Sequence, residues 1–247
     1  MRNIVFFLVL LLTLPSLSRA GFQDLLNKAT DSTKGLTRTG ASTGSNSLSN
    51  EEISSGLIET LRLGAERAVD LASAPGGFLK NPAIHIPLPD KIQGAGNMLR
   101  RIGLGQQVDT FEQTMNEAAE KASKEAMPIL GQAIKELTLD DAQRLWKGGD
   151  RALTDYFQQK TRPALYEKFK PVVHNTSQQV GVTRSYDNLV RSPGVQPLVA
   201  GSNLDLDHYV TDKALAGLFT LLAEQEKQIR TNPVARTTDL LKKLFGR

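Results

Sequence analysis

The hydrophobic pattern divides the chain into three stretches. From Ile4 to Leu14 every residue except Thr13 is apolar. From 21 to 48 apolar side chains are sparse and Ser, Thr and Gly dominate. Beyond that point apolar residues recur every three or four positions almost to the C-terminus, the period of helices that each bury one face.

The periodic part opens with a local start signal. With Ser49 as N-cap, Glu52 falls at N3 and completes a capping box, while Leu48 and Ile53 flank it as a hydrophobic staple. The helix that follows carries Ile58, Leu61, Ala65, Ala68 and Ala72 on one stripe and ends at Pro75-Gly76-Gly77. A second helix spans Ile92, Met98, Leu99 and Ile102 up to a break at Gly103-Leu104-Gly105. Val108, Phe111, Met115, Ala119 and Ala122 continue on helical spacing, and Pro128 starts or kinks the next element. Thr138-Leu139-Asp140-Asp141 is a cap pattern before Leu145-Trp146, with a stop at Gly148-Gly149. Asp150 is expected to cap a helix carrying Leu153, Tyr156 and Phe157, and Pro163 to open a separate one with Leu165, Phe169, Val172 and Val173. A long helix after Asp205 or Asp207 carries Leu206, Val210, Ala214, Leu218, Leu222, Gln225 and Ile229, and Asn232-Pro233 opens the last helix. The spacing predicts an all-α fold, a single bundle-like domain of eight or nine helices over 49–247. No repeat of fixed period suggests a solenoid.

One stretch breaks the pattern. Prolines at 82, 87 and 89 forbid a helix around Ile84-His85-Ile86-Pro87-Leu88-Pro89. In an extended chain Ile84, Ile86 and Leu88 point one way, and His85, Pro87 and Pro89 the other. The expectation is a strap pinned to the core by the three aliphatic side chains. The competing reading is an edge that pairs with a partner strand, which the prolines disfavour by removing ladder donors.

The segment at residues 1–20 changes the charge arithmetic. Arg2, an 11-residue apolar run and Ser18-Arg19-Ala20 have the layout of a secretory signal peptide cleaved after Ala20. The run is too short to span a bilayer, which needs about 20 apolar residues. Residues 21–48 then read as a flexible linker. The whole chain has 30 Lys+Arg against 26 Asp+Glu. Without Arg2 and Arg19 the excess falls to two, which is no argument for nucleic acid. Cys is 0, so disulfides, cysteine zinc sites and a thiol nucleophile are excluded. The expected location is the periplasm.

Candidate chemistry is sparse. The three His, at 85, 174 and 208, form no metal-binding spacing, and no cofactor motif is present. His208 and Asp212 would share a helix face, but acids in a first turn are what the helix dipole and orphan amides favour. Gly148-Gly149-Asp150-Arg151 lacks the strand and the Lys-Ser/Thr of a phosphate loop. At the C-terminus, Leu240-Leu241-Lys242-Lys243-Leu244-Phe245 is cationic and amphipathic. It is either a surface-active helix with Leu241, Leu244 and Phe245 in a membrane interface or a final bundle helix. In the latter, Gly246 is the C′ residue and Asp239 pairs with Lys243.

Several stretches together resemble a bacterial family known as domain of unknown function 4197. They are Leu48 to Gly64, Asn81 to Pro89, Gly148 to Thr161, Leu204 to Leu215 and Asn232 to Gly246. The resemblance implies an exported helical protein of Gram-negative bacteria and carries no activity or catalytic role. The leading expectation is a non-enzymatic protein that binds an apolar or amphipathic ligand, or an envelope partner. The alternatives are a hydrolase built from dispersed polar groups, or peripheral membrane attachment through the C-terminal helix. Asp150, Arg162, Tyr209 and Arg236 are the candidate ligand-binding residues, with His85, His208 and Asp212 as further polar candidates. Their convergence on one concave site would favour polar-ligand or enzyme chemistry.

Overall fold

The computed structural model describes residues 48–139, 142–199 and 204–246. The signal-peptide and linker expectations, and the Asp140/Asp141 caps, lie outside those residues. The described part is all-α. Ten helices run as α1 (Asn50–Ser73), α2 (Asp90–Arg101), α3 (Gly105–Lys124), α4 (Ala126–Lys135) and α5 (Ala142–Lys147), then α6 (Ala152–Val180), α7 (Val182–Val190), α8 (Gln196–Val199), α9 (Leu206–Thr231) and α10 (Asp239–Phe245). A 3-10 turn, Pro233–Ala235, precedes α10. Helices α1 and α9 pack together at the centre, with α3, α6 and α4 around them and α10 against α1.

The start of α1 follows its local code. The Ser49 hydroxyl accepts from the Glu52 amide at 3.1 Å, the Glu52 carboxylate accepts from the Ser49 amide at 3.0 Å, and Leu48 and Ile53 are both buried. Two small residues of α1 then let neighbours approach. A Cβ at Gly56 would lie 2.6 Å from Leu244 of α10, and one at Gly64 would lie 2.8 Å from Leu222 of α9.

Helix α6 differs from the two-helix expectation. Pro163 and Pro171 both lie inside one 29-residue helix, so Pro163 opens nothing. Each proline removes one backbone bond and costs about 3 kcal/mol in a helix interior. Here Leu153, Phe157, Leu165, Phe169 and Val173 form a buried row, spaced by four residues or, across Thr161, by eight, on both sides of the prolines. That burial outweighs the break. Both prolines are exposed, as are Gln159 and Glu167, whose carbonyls lose their partners to them.

Asp150 does not cap α6. The amides of Leu153 and Thr154 instead donate to the Glu226 carboxylate of α9 at 3.1 and 2.7 Å, and the Thr154 hydroxyl donates to it at 2.6 Å. Glu226 also accepts from Arg230 Nε at 2.7 Å. The Arg230 guanidinium then donates to the carbonyls of Trp146 and Leu145 at 2.8 and 2.9 Å, closing the end of α5. One buried ion pair thus caps two helices.

The strap is held as its alternation predicts, with Ile84, Ile86 and Leu88 buried. Pro89 is buried too, contrary to the expectation that it points outward, because it sits at the entry to α2. The strap's backbone groups find side chains of α3 at four-residue steps. Leu88 N–H donates to Glu112 at 3.2 Å. Ile86 N–H donates to Asn116 Oδ1 at 2.9 Å, and Asn116 Nδ2 returns a bond to Ile86 O at 2.8 Å. The amides of Gly76, Phe78 and Leu79 donate to Glu120 at 3.1, 3.1 and 3.2 Å. Phe78 and Ile84 rest on Gly217 of α9, where a Cβ would lie 2.7 Å from the Phe78 ring.

Four smaller expectations are also corrected. Ile102 is 53% exposed and Met98 only half-buried, since α2 turns its Ile92, Ala95 and Leu99 inward instead. Asn232-Pro233 opens the 3-10 turn, and Thr238 caps the last helix by accepting from Leu241 N–H at 3.3 Å. Asp239 pairs with Lys242 while Lys243 reaches Glu52 of α1, because docking α10 on α1 brings that carboxylate closer. Gly246 has an ordinary negative φ of −81°. Leu241 and Leu244 are buried, and Trp146 Nε1 donates to Leu244 O at 3.0 Å.

Candidate functional site

A polar seam runs along α6 beside its buried row. Arg162, Tyr166, Lys170, His174 and Gln178 follow each other at four-residue steps and so share one face. The N-terminal part of α9 supplies their partners. Arg162 Nη2 donates to Asp212 at 2.8 Å, and the Tyr166 hydroxyl and His208 Nδ1 are 2.6 Å apart. Lys170 lies 3.9 Å from Asp205, and His174 Nδ1 is 2.5 Å from Asp207. Asp205 also caps α9 by accepting from His208 N–H at 2.9 Å.

The seam explains why His208 and Asp212 do not act together. Each faces a different residue of α6. His174 has both ring nitrogens engaged, since Gln178 Nε2 lies 2.8 Å from its Nε2. Neither His174 nor Tyr166 is enclosed. Burial and the charges of Asp205, Asp212 and Glu167, opposed by Lys170, push the Tyr166 hydroxyl above its usual range.

The four candidate residues separate into two pairs at opposite ends of α9. Arg162 meets Asp212, and Tyr209 belongs to the same end, its hydroxyl donating to Pro87 O at 3.0 Å. Asp150 lies 3.6 Å from Lys227 near the other end. Arg236 donates to the carbonyls of Ile229 and Arg230 at 3.0 and 2.9 Å, closing the C-terminus of α9. Asp212 and Lys227 are fifteen residues apart on α9, about 22 Å along the axis. His85 sits apart from both pairs, with Nδ1 3.2 Å from Leu79 O.

Tyr209 ties the strap to α9, and its environment has a measurable consequence. Burial first, then the charges of Asp90 and Glu112, push its hydroxyl from 10.0 up to about 12. Because the folded state holds this proton more tightly, the associated stability is present below pH 10 and is lost as pH rises towards about 12. Tyr209→Phe is expected to lower stability at neutral pH by about 1 kcal/mol through the lost hydrogen bond. It should also make the alkaline decline shallower, read by urea denaturation at a series of pH values. An unchanged alkaline slope would contradict the assignment.

Concave surface lies elsewhere, and two apolar-lined grooves flank α4. Ala126, Leu130 and Ile134 face the core, leaving Met127, Ile129 and Ala133 half-buried. A groove of about 570 Å³ separates α4 from α1, lined by Ile58, Met127, Pro128, Gly131 and Ile134, with Arg62, Glu66, Gln132 and Lys135 also in its lining. Arg62 is already bound to Glu59 and Glu66. A second groove of about 250 Å³ lies between α4 and α6, where Ile129, Ala133, Leu137, Ala164 and Leu165 meet Lys160, Lys168 and Glu136. Neither groove contains a seam residue. Sequence reasoning missed both, although Ala126 to Lys135 is apolar on more than one face (AMPILGQAIK), a pattern that one buried stripe does not require.

Among the described residues no group of three or more His, Asp or Glu is placed to hold a metal ion, and no helix is long and apolar enough to cross a membrane. No curated protein and no solved structure matches the chain. A family model does match, over residues 47–246, which takes in every helix described above. By that match the chain belongs to the family described as Protein of unknown function (DUF4197).

Proposed function

We propose that this is an exported, periplasmic, non-enzymatic protein that binds an apolar or amphipathic ligand in the groove between α1 and α4. The observation that carries the reading is α4 itself. Its Met127 and the neighbouring Ile58 of α1 are only half-buried above a groove of about 570 Å³. That volume falls within the range of small-molecule sites. Its polar lining is charge-balanced, with Arg62 and Lys135 against Glu66 and the nearby Glu59. An uncharged ligand surface suits such a groove.

Gly131 offers a clean test. A Cβ there would meet only Met127 Cε, at 3.9 Å, so Gly131→Leu can fill the groove without backbone strain. Replacing a helical glycine should leave stability unchanged or raise it by up to about 1 kcal/mol. Native mass spectrometry of the chain released from the periplasm is expected to show a protein starting at Gly21 with a bound apolar mass. Gly131→Leu should remove that mass and weaken binding of N-phenyl-1-naphthylamine by roughly tenfold. A chain retaining residues 1–20 would overturn the export reading. Undiminished probe binding by the variant would overturn the site.

A further inference from the structure

We propose that the smaller groove, between α4 and α6, is a second site that takes a single-chain fatty carboxylate. Its charge and shape set it apart from the α1–α4 groove. The floor is apolar, formed by Ile129 and Ala133 from α4, by Leu137 just beyond its C-terminus and by Ala164 from α6. Its charged lining is Lys160 and Lys168 against Glu136, an excess of one positive charge among the described residues. Glu136 is itself engaged, accepting from Gln132 Nε2 at 2.6 Å.

The two lysines are not equivalent. Lys160 Nζ rests 5.5 Å from the centroid of the Tyr156 ring, which compensates part of its charge. Lys168 lies two turns further along α6 and makes no ion pair among the described residues. Ala164, midway between them, leaves the space that a larger side chain would occupy. Tyr156 closes one end, where its hydroxyl donates to Thr138 O at 3.0 Å. From Tyr156 to Lys168 the groove follows about 18 Å of helix. A carboxylate at Lys168 with its chain laid along Ala164, Ala133 and Leu137 satisfies both the charge and the apolar floor. The volume of about 250 Å³ lies just below that of ordinary small-molecule sites and leaves no room for a two-chain lipid. Its concave shape suits a molecule lifted out of a bilayer rather than the bilayer surface.

Titration calorimetry on the chain without residues 1–20, below micellar concentrations, tests this with three twelve-carbon probes. At the site that Ala164→Leu removes, dodecanoate is expected to bind one-to-one, more weakly as salt is raised, while dodecyltrimethylammonium and dodecyl maltoside bind there at least tenfold more weakly. Maltoside taken up by the α1–α4 groove is instead the part that Gly131→Leu removes. Lys168→Gln should weaken dodecanoate by roughly fivefold, and Lys160→Gln by less. Ala164→Leu, on an exposed helical position, should abolish binding, and Gly131→Leu should leave it unchanged. Equal binding of the cationic probe, or no effect of Lys168→Gln, would overturn the proposal. Loss in Gly131→Leu but not in Ala164→Leu would place the carboxylate in the α1–α4 groove, ending this proposal and sparing the other. Lysine-dependent cosedimentation with phosphatidylglycerol vesicles in place of dodecanoate binding would make the face a membrane contact, and that too would overturn it.

Discussion

Glu226→Ala is expected to destabilise the domain by about 3–5 kcal/mol, the range for breaking a buried ion pair from one side. The Glu226 and Arg230 side chains are 1% and 7% exposed. Removing the carboxylate orphans the amides of Leu153 and Thr154 and leaves the Arg230 charge without its counterion. The guanidinium lies 5.3 Å from the centre of the Phe245 ring, so α10 loses support as well. Urea denaturation gives the loss directly. A buried pair that serves only itself can often be exchanged for apolar residues at little cost. This pair also closes α6 and α5. The double variant Glu226→Leu/Arg230→Met should therefore remain at least about 2 kcal/mol below the parent, since helix-end groups stay unpaired. A double variant as stable as the parent would contradict the capping account.

Asn116→Ala should cost about 2–4 kcal/mol, because two strap groups and one helical contact depend on one amide. Asn116 is fully buried, and its Nδ2 also donates to Glu112 O at 2.7 Å. The loss should be local at first. Hydrogen exchange is expected to accelerate in residues 84–88 well before it does in α1 or α9. Asn116→Asp separates hydrogen bonding from size. The new carboxylate can accept from Ile86 N–H but sets its second oxygen against the carbonyls of Ile86 and Glu112. Burial and those carbonyls favour its protonated form, raising its folded pKa above the unfolded value of about 3.9. Relative to the parent, the variant is therefore expected to lose least below about pH 3.9 and progressively more as pH rises through the folded value. Uniform exchange across the domain, or a variant indifferent to pH, would show that Asn116 does not hold the strap.

Both residues lie in stretches that the hydrophobic pattern assigned to helices, and neither stood out there. Asn116 follows Met115 on a clear stripe, and Glu226 sits among alternating charged residues of a long helix. In the strand-like segment, by contrast, the burial of Ile84, Ile86 and Leu88 was legible from alternation and prolines alone. The candidate residues behaved similarly. Arg162 and Tyr209 lie at one end of α9, with Asp150 and Arg236 at the other, a separation that no spacing along the chain encodes. The grooves beside α4 were legible only as an excess of apolar residues in a short helix.

The sequence by itself determined the all-α class, the capped start at Ser49 and Glu52, the amphipathic stripes and the extended strap. Those features depend on residues two to four positions apart, so the rules of backbone geometry and local capping suffice to read them. Only the tertiary structure decided that α6 runs through two prolines, that Glu226 caps it from 73 residues away, and that Asn116 pairs with a strap 30 residues before it. The reason is physical. A buried polar group must find a partner, but nothing in its neighbours specifies which distant carboxylate or amide the packing will bring within 3 Å.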